Sequence, residues 1–233
     1  MSLLHAFQVS SPDILDEMIV TPSDISHSEL YGVLINSVVP RPIAWVSTIN
    51  SSGQPNLAPF SFFNAVCADP PLLAFAPGLR PSNDRDENHG EPKDTLHNVR
   101  ETKEFVINVV TYQLAEAMNL TSGDYNASVN EFEVANVAAE PSHIVRPPRV
   151  AESPISFECK LYQILDFAPQ PTSGSLVIGE IVAIHINDAN LKEGRLDRNS
   201  LDVIGRMGGS QYTRTTQRFE MIRPKIDSKT ARS

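Results

Sequence analysis

Pro40-Arg41-Pro42-Ile43-Ala44-Trp45-Val46-Ser47-Thr48 is followed after a short connection by Asn56-Leu57-Ala58-Pro59-Phe60-Ser61-Phe62-Phe63-Asn64. The β-branched and aromatic run from Ile43 to Thr48 reads as a strand, and Asn50-Ser51-Ser52-Gly53 reads as the turn that ends it. A second strand is expected from Leu57 to Val66, stopped by Asp69-Pro70-Pro71, and a third over Leu72–Ala76. Pro59 lacks a ladder donor, so its strand lies at a sheet edge or is bulged there. A bulge would turn backbone N–H groups into a cleft.

Outward from this centre the chain stays strand-rich. Ser23 and Asp24 are placed to cap a short helix through Leu30, Leu34 and Ile35 that ends near Pro40. Residues 78–93 are almost wholly polar and read as an exposed loop. A helix starts at Asp94 or Thr95 and turns Leu96 and Val99 inward. Phe105–Val110 is a strand, and a helix from Thr111 carries Leu114, Ala117 and Met118 on one side. Residues 121–149 read as an irregular excursion. Ile155, Phe157, Cys159 and Leu161 alternate with polar residues, as in a half-buried strand, while Leu176–Ile186 is apolar on both faces. Such a strand in an antiparallel sheet needs a helix, a chain terminus or a second subunit over its outer face. With few helices between consecutive strands, an antiparallel barrel is expected rather than a doubly wound sheet. The expected organisation is an arm over 1–22, one domain over 23–226 and a tail over 227–233.

Composition narrows the function. The 233 residues are 41% hydrophobic and 20% charged, which is ordinary globular composition. The formal net charge of -9 disfavours binding to nucleic acid or to an anionic membrane surface. Cys67 and Cys159 have no C-x-x-C spacing, so a zinc site, a dithiol and a disulfide scaffold are disfavoured. No stretch approaches a membrane span, and the start lacks the basic-then-apolar order of a signal peptide, so a cytoplasmic location is expected. G-x-G-x-x-G, Walker A, H-E-x-x-H and G-x-S-x-G are all absent, and no two of the six histidines fall three or four apart. Redox chemistry in such a chain comes from a bound cofactor.

Three places carry chemistry. Arg41 with Ser47 and Thr48 offers a guanidinium and two hydroxyls to a phosphate, or else a plain strand entry. Ala58, Pro59, Phe60, Ser61, Phe62, Phe63 and Asn64 offer an apolar wall with polar handles to a fused-ring ligand, or else core aromatics. Lys93, Asp94 and Thr95 stand at a helix N-terminus, where an anion site and a simple cap are alternative readings.

In this order and spacing the three segments resemble the flavin reductase-like family, which includes flavoredoxins and the reductase components of two-component monooxygenases. Glu131-Phe132, Ser153-Pro154, Glu158-Cys159, Gly179-Glu180-Ile181-Val182 with His185, and Gly205-Arg206-Met207-Gly208-Gly209 with Tyr212 agree, so the resemblance covers roughly residues 30–224. It implies a mainly β fold, an antiparallel FMN-binding split barrel with a few short helices. It also implies a homodimer with one FMN per subunit, reduced by NADH or NADPH through hydride transfer to N5. A monooxygenase or other electron acceptor follows. The alternative is an electron carrier reduced by a partner protein. Carried over, Arg41, Ser47, Thr48, Lys93 and Thr95 serve the phosphate and ribityl chain, with Asp94 beside them. Ala58 to Asn64 lie along the flavin, and Arg206 and Tyr212 are later contributors. His185 is a candidate for orienting the nicotinamide.

Overall fold

A computed structural model of the chain describes residues 18–78, 91–167 and 174–224. In chain order the elements are α1 (His27–Ser37), β1 (Ala44–Ile49), β2 (Pro55–Phe60), β3 (Phe63–Ala68), β4 (Pro71–Phe75), α2 (Asp94–Thr102), β5 (Glu104–Asn108), α3 (Ala115–Leu120) and α4 (Glu131–Val134). There follow β6 (Ala139–Glu140), β7 (Arg149–Val150), β8 (Ile155–Asp166), β9 (Ser175–Ile186), β10 (Leu191–Lys192), β11 (Arg195–Leu196), β12 (Ile204–Arg206) and β13 (Tyr212–Arg214). Most of the expected polar loop, the arm and the tail lie outside the described residues. No helix among the described residues is long and apolar enough to cross a membrane.

Seven strands form one antiparallel sheet in the order β2-β1-β5-β8-β9-β4-β3. Its two edge strands, β2 and β3, are consecutive in sequence and joined only by Ser61 and Phe62. Laid flat, such a sheet would hold its edges roughly 29 Å apart. The link from Phe60 to Phe63 reaches roughly 11 Å at most. The sheet must therefore curl on itself, and it does. The Phe60 ring at the end of β2 lies 5.3 Å from the Phe75 ring of β4, inside one shared core. The result is a split barrel, closed at one seam by the chain itself.

The expected single strand over 57–66 is thus two strands at opposite edges, broken at Ser61-Phe62. The β1–β2 register runs unbroken through Pro59, so the edge reading of that proline holds and the bulge reading does not. The bulge falls instead between Ala65 and Cys67, where β3 pairs with β4. The Leu57 N–H points away from β1 and donates to the Glu131 carboxylate at 3.1 Å. By the two-residue period Pro55 and Pro59 face the same way, and neither has an N–H to present.

Inside the barrel, Ala44, Val46, Phe60, Phe75, Phe105, Ile107 and Val177 form the main core, and α2 plugs it with Leu96 and Val99 as its spacing predicts. A second core on the other face of β1 and β2 packs Trp45 and Leu57 against Met118 of α3 and Phe132 of α4. The α1 cap lies three residues beyond the expected Ser23. Pro22–Asp24 form a 3-10 turn, and Ser26 closes a capping box with Glu29. The excursion over 121–149 contains α4, started by an Asn130 side-chain cap on the Phe132 amide. On β9, Val177 is buried as expected, whereas Ile184 is 54% exposed on the single chain.

Gly179 shows how tightly the interior is filled. A Cβ there would lie 2.2 Å from Phe105 Cζ and 3.1 Å from Cys159 Cβ. Gly179→Ala should lower stability by about 1–3 kcal/mol, as overpacking does, in urea melts. Adding Phe105→Leu to that variant should recover part of the loss. An unchanged melt for Gly179→Ala would contradict this packing.

Candidate functional site

A groove runs along the open edge of β2. One cavity of about 230 Å³ is walled by Ala58 and Pro59 of β2, Lys93 to Thr95 at the start of α2, residues 121–125 after α3, and Glu131 of α4. A second, of about 210 Å³, is walled by Arg41, Ser61, Arg206 and Tyr212, with Tyr31 and Ile35 of α1. The two meet at Pro59 and Ser122, which belong to both.

A buried polar chain backs the first cavity. Glu131 accepts from the Asn56 amide nitrogen at 3.0 Å with one oxygen and from the Leu57 N–H with the other. Asn56 Oδ1 accepts from the Thr95 hydroxyl at 3.1 Å and, more weakly, from Thr48 at 3.5 Å. Asn98 donates to Thr48 at 3.0 Å. Burial pushes the Glu131 carboxyl above the usual carboxylate range. The Asn56 amide and the Glu131 and Leu57 backbone amides oppose that shift, and the Asp94 charge adds to it.

The first expected cluster is divided by the strand itself. Successive residues of β1 face opposite sides. Ser47 donates to the Pro148 carbonyl on the outer side, at 2.5 Å, while Thr48 enters the buried chain beside α2. Arg41 turns its terminal nitrogens to the carbonyls of Ile35 and Val38, at 2.7 Å each, and of Met207, at 3.1 Å. That caps the C-terminal end of α1. Its two-pronged fork is therefore occupied by backbone. One hydrogen of Nη2 remains, and Nε is buried and without a partner among the described residues.

The aromatic segment also divides. Ala58, Pro59 and Ser61 reach the groove. Phe60 is buried in the barrel and Phe63 packs against that core. Phe62 is exposed, 6.4 Å from the Tyr31 ring and 5.8 Å from the Arg41 guanidinium. Asn64 accepts from the Ala65 amide on exposed β3 and lines neither cavity. Lys93 is the N-cap residue of α2 and its Nζ stands 5.9 Å from the Phe60 ring, so neither Asp94 nor Thr95 is the cap. Arg206 donates to the Tyr212 hydroxyl and, at 2.6 Å, to the Gly209 carbonyl.

His185 is elsewhere. Its Nε2 meets Glu158 at 2.5 Å, and Glu158 also accepts from the amides of His143, Ile144 and Val145. Reading the sequence missed the loop over 121–125, Tyr31 and Ile35 as cavity walls. Thr121-Ser122-Gly123, a hydroxyl pair and a glycine after a helix, was the available signal.

With this geometry in place, likeness to known proteins decides the family. Residues 36–201 match the flavin reductase like domain. The chain belongs to the flavin reductase-like family. A protein of Halalkalibacterium halodurans, the uncharacterized BH2278, is 35% identical over 211 residues, covering 90% of this chain and 98% of that one. The solved structure of nitrilotriacetate monooxygenase component B from Bacillus cereus is similar with a TM-score of 0.81 at 28% identity, covering 88% of this chain and 98% of that one. That of the 2-nitrobenzoate 2-nitroreductase NbaA of Pseudomonas fluorescens gives a TM-score of 0.77 at 35% identity, covering 89% and 96%.

In this flavin reductase-like chain Glu158 does structural duty. Burial pushes its carboxyl up, but the His143 amide, His185 and the Val145 and Ile144 amides together outweigh that and bring it down to about 2. The stability it contributes is present in full above the ordinary carboxylate range and is lost as pH falls toward about 2. Glu158→Gln should therefore melt below wild type at neutral pH, with a gap that narrows as both proteins are acidified through this window. A gap independent of pH would refute the assignment.

Proposed function

We propose that this chain is an FMN-binding oxidoreductase that is reduced by NADH or NADPH and passes electrons to an acceptor. The observation that carries the reading is the pair of cavities meeting at Pro59 on the free edge of β2. Together they reach the roughly 300–1,000 Å³ of a site for a drug-sized ligand. Their walls suit the cofactor's parts. Lys93 and the amides at the start of α2 provide positive charge for the phosphate. At the other end the guanidinium of Arg206 is a cationic donor for the ring carbonyls. Phe62 adds an exposed apolar surface next to Arg41.

Bound FMN supplies the two-electron chemistry. The chain's own task is to hold it, neutralise its charge and leave one face open to the nicotinamide. No protein nucleophile is needed, and His185 has no part in this scheme because Glu158 holds it away from both cavities. Likeness to a monooxygenase component B and to a nitroreductase supports an oxygenase partner or an aromatic electron acceptor. Exposed Tyr162, Leu165 and Ile184 on β8 and β9 support a dimer, in which a second copy covers them.

Purified protein with FMN, held without oxygen, should lose the flavin absorbance near ~450 nm on addition of NADH or NADPH, the faster donor being the physiological one. Tight FMN binding without bleaching would favour the electron-carrier alternative. Lys93→Ala should weaken FMN by about 1.5–3 kcal/mol, the range for a charge-assisted hydrogen bond, and leave riboflavin, which has no phosphate, nearly unaffected. Equal FMN affinity in wild type and variant would remove Lys93 from the phosphate site.

A further inference from the structure

The buried chain behind the first cavity has a direction. Glu131 presents two oxygens, one held by the Leu57 N–H and one facing the side-chain amide of Asn56. Asn56 turns its NH2 to Glu131 and its carbonyl to Thr95 and Thr48. A threonine hydroxyl has one proton. Thr95 uses that proton on Asn56, at 3.1 Å. Thr95 is 1% exposed, and it lines the cavity beside Ala58 and Pro59. Toward that cavity it can present only lone pairs.

We infer that Glu131, acting through Asn56, makes Thr95 an obligate hydrogen-bond acceptor, so that the ligand group it selects is an O–H or N–H donor and not a phosphate oxygen. Within the FMN reading, on which this rests, the partner is a ribityl hydroxyl. Lys93 on the same cavity wall keeps the phosphate. Glu131 is then a positioning residue that never touches the ligand through this contact. It sets the polarity of one that does. In Glu131→Gln the carboxamide oxygen must take the Leu57 N–H, leaving its NH2 toward Asn56. Asn56 turns over and donates to Thr95, and the Thr95 proton is released toward the cavity.

The test compares FMN with riboflavin, titrated by flavin fluorescence into wild type, Thr95→Val, Glu131→Gln and the double variant. Thr95→Val should weaken both flavins alike, by about three- to tenfold, and Thr95→Ser should restore binding. Glu131→Gln should cost both flavins alike and no more than Thr95→Val does, since a ribityl hydroxyl can also accept. The double variant should bind no worse than Thr95→Val alone, since the two act on one contact. Lys93→Ala, selective for FMN, shows in the same assay what a phosphate contact looks like. A loss in Thr95→Val confined to FMN, no loss for either flavin, or additive losses in the double variant would each overturn the inference. Should Thr95→Val fail to fold, as judged by circular dichroism, Thr95→Ala and Glu131→Gln carry the same comparison. Wild type that binds neither flavin would overturn the FMN reading itself, a result distinct from all of these.

Discussion

Two residues, Ser61 and Phe62, connect the first and last strands of a seven-stranded sheet, and the rest of the molecule follows from their shortness. So short a link cannot span a flat sheet, so the sheet closes. Closure creates an interior that α2 fills with Leu96 and Val99, and this sets the first turn of α2 against β2. It also leaves a seam without a full ladder, where Pro59 and Ser61 stand on the surface beside the start of α2 on one side and Arg41 and Arg206 on the other. The groove is thus a by-product of how the barrel closes.

Polar burial around that seam does two jobs at once. Glu131 satisfies the one N–H that β2 turns outward near it and orients Asn56. Asn56 in turn ties Thr95 of α2 and Thr48 of β1 together. Strand, helix and α4 are joined through one carboxylate, and burial alone would push that carboxylate toward neutrality. Glu158 shows the opposite balance. Three consecutive amides and a histidine meet it, and it stays ionised far into acid. Both carboxylates are buried, and the number of donors that reach each decides the outcome.

Much of the fold was legible in the residues. The strand at Ile43–Thr48, the inward Leu96 and Val99 and the edge position of Pro59 all follow from side-chain type and spacing. The break inside residues 57–66 was not legible, because every residue on either side is strand-compatible and only closure of the sheet forces the break. The lining of the candidate groove was legible in part. Ala58, Pro59, Ser61, Lys93, Thr95 and Arg206 do line one groove. Ser47 and Thr48, adjacent in sequence, were separated by the pleat, and Arg41 was drawn to the end of α1, whose carbonyls were nearer. Neither effect leaves a trace in the order of residues. The loop over 121–125 escaped notice because its place beside Pro59 depends on α3 packing against Trp45, a contact made across 76 positions of sequence through the hydrogen bond from the indole to Thr121.

The outward side of β2 has a bearing on how copies of the chain can associate. Between positions 55 and 59 it offers a neighbour two proline rings and one amide already claimed by Glu131. A strand from another molecule would find carbonyls to donate to but no donors for its own carbonyls, and half of every ladder would be missing. Growth of a continuous sheet from chain to chain is closed off along this edge. A neighbouring chain is thereby kept off this edge, and the groove beside it stays open to small molecules.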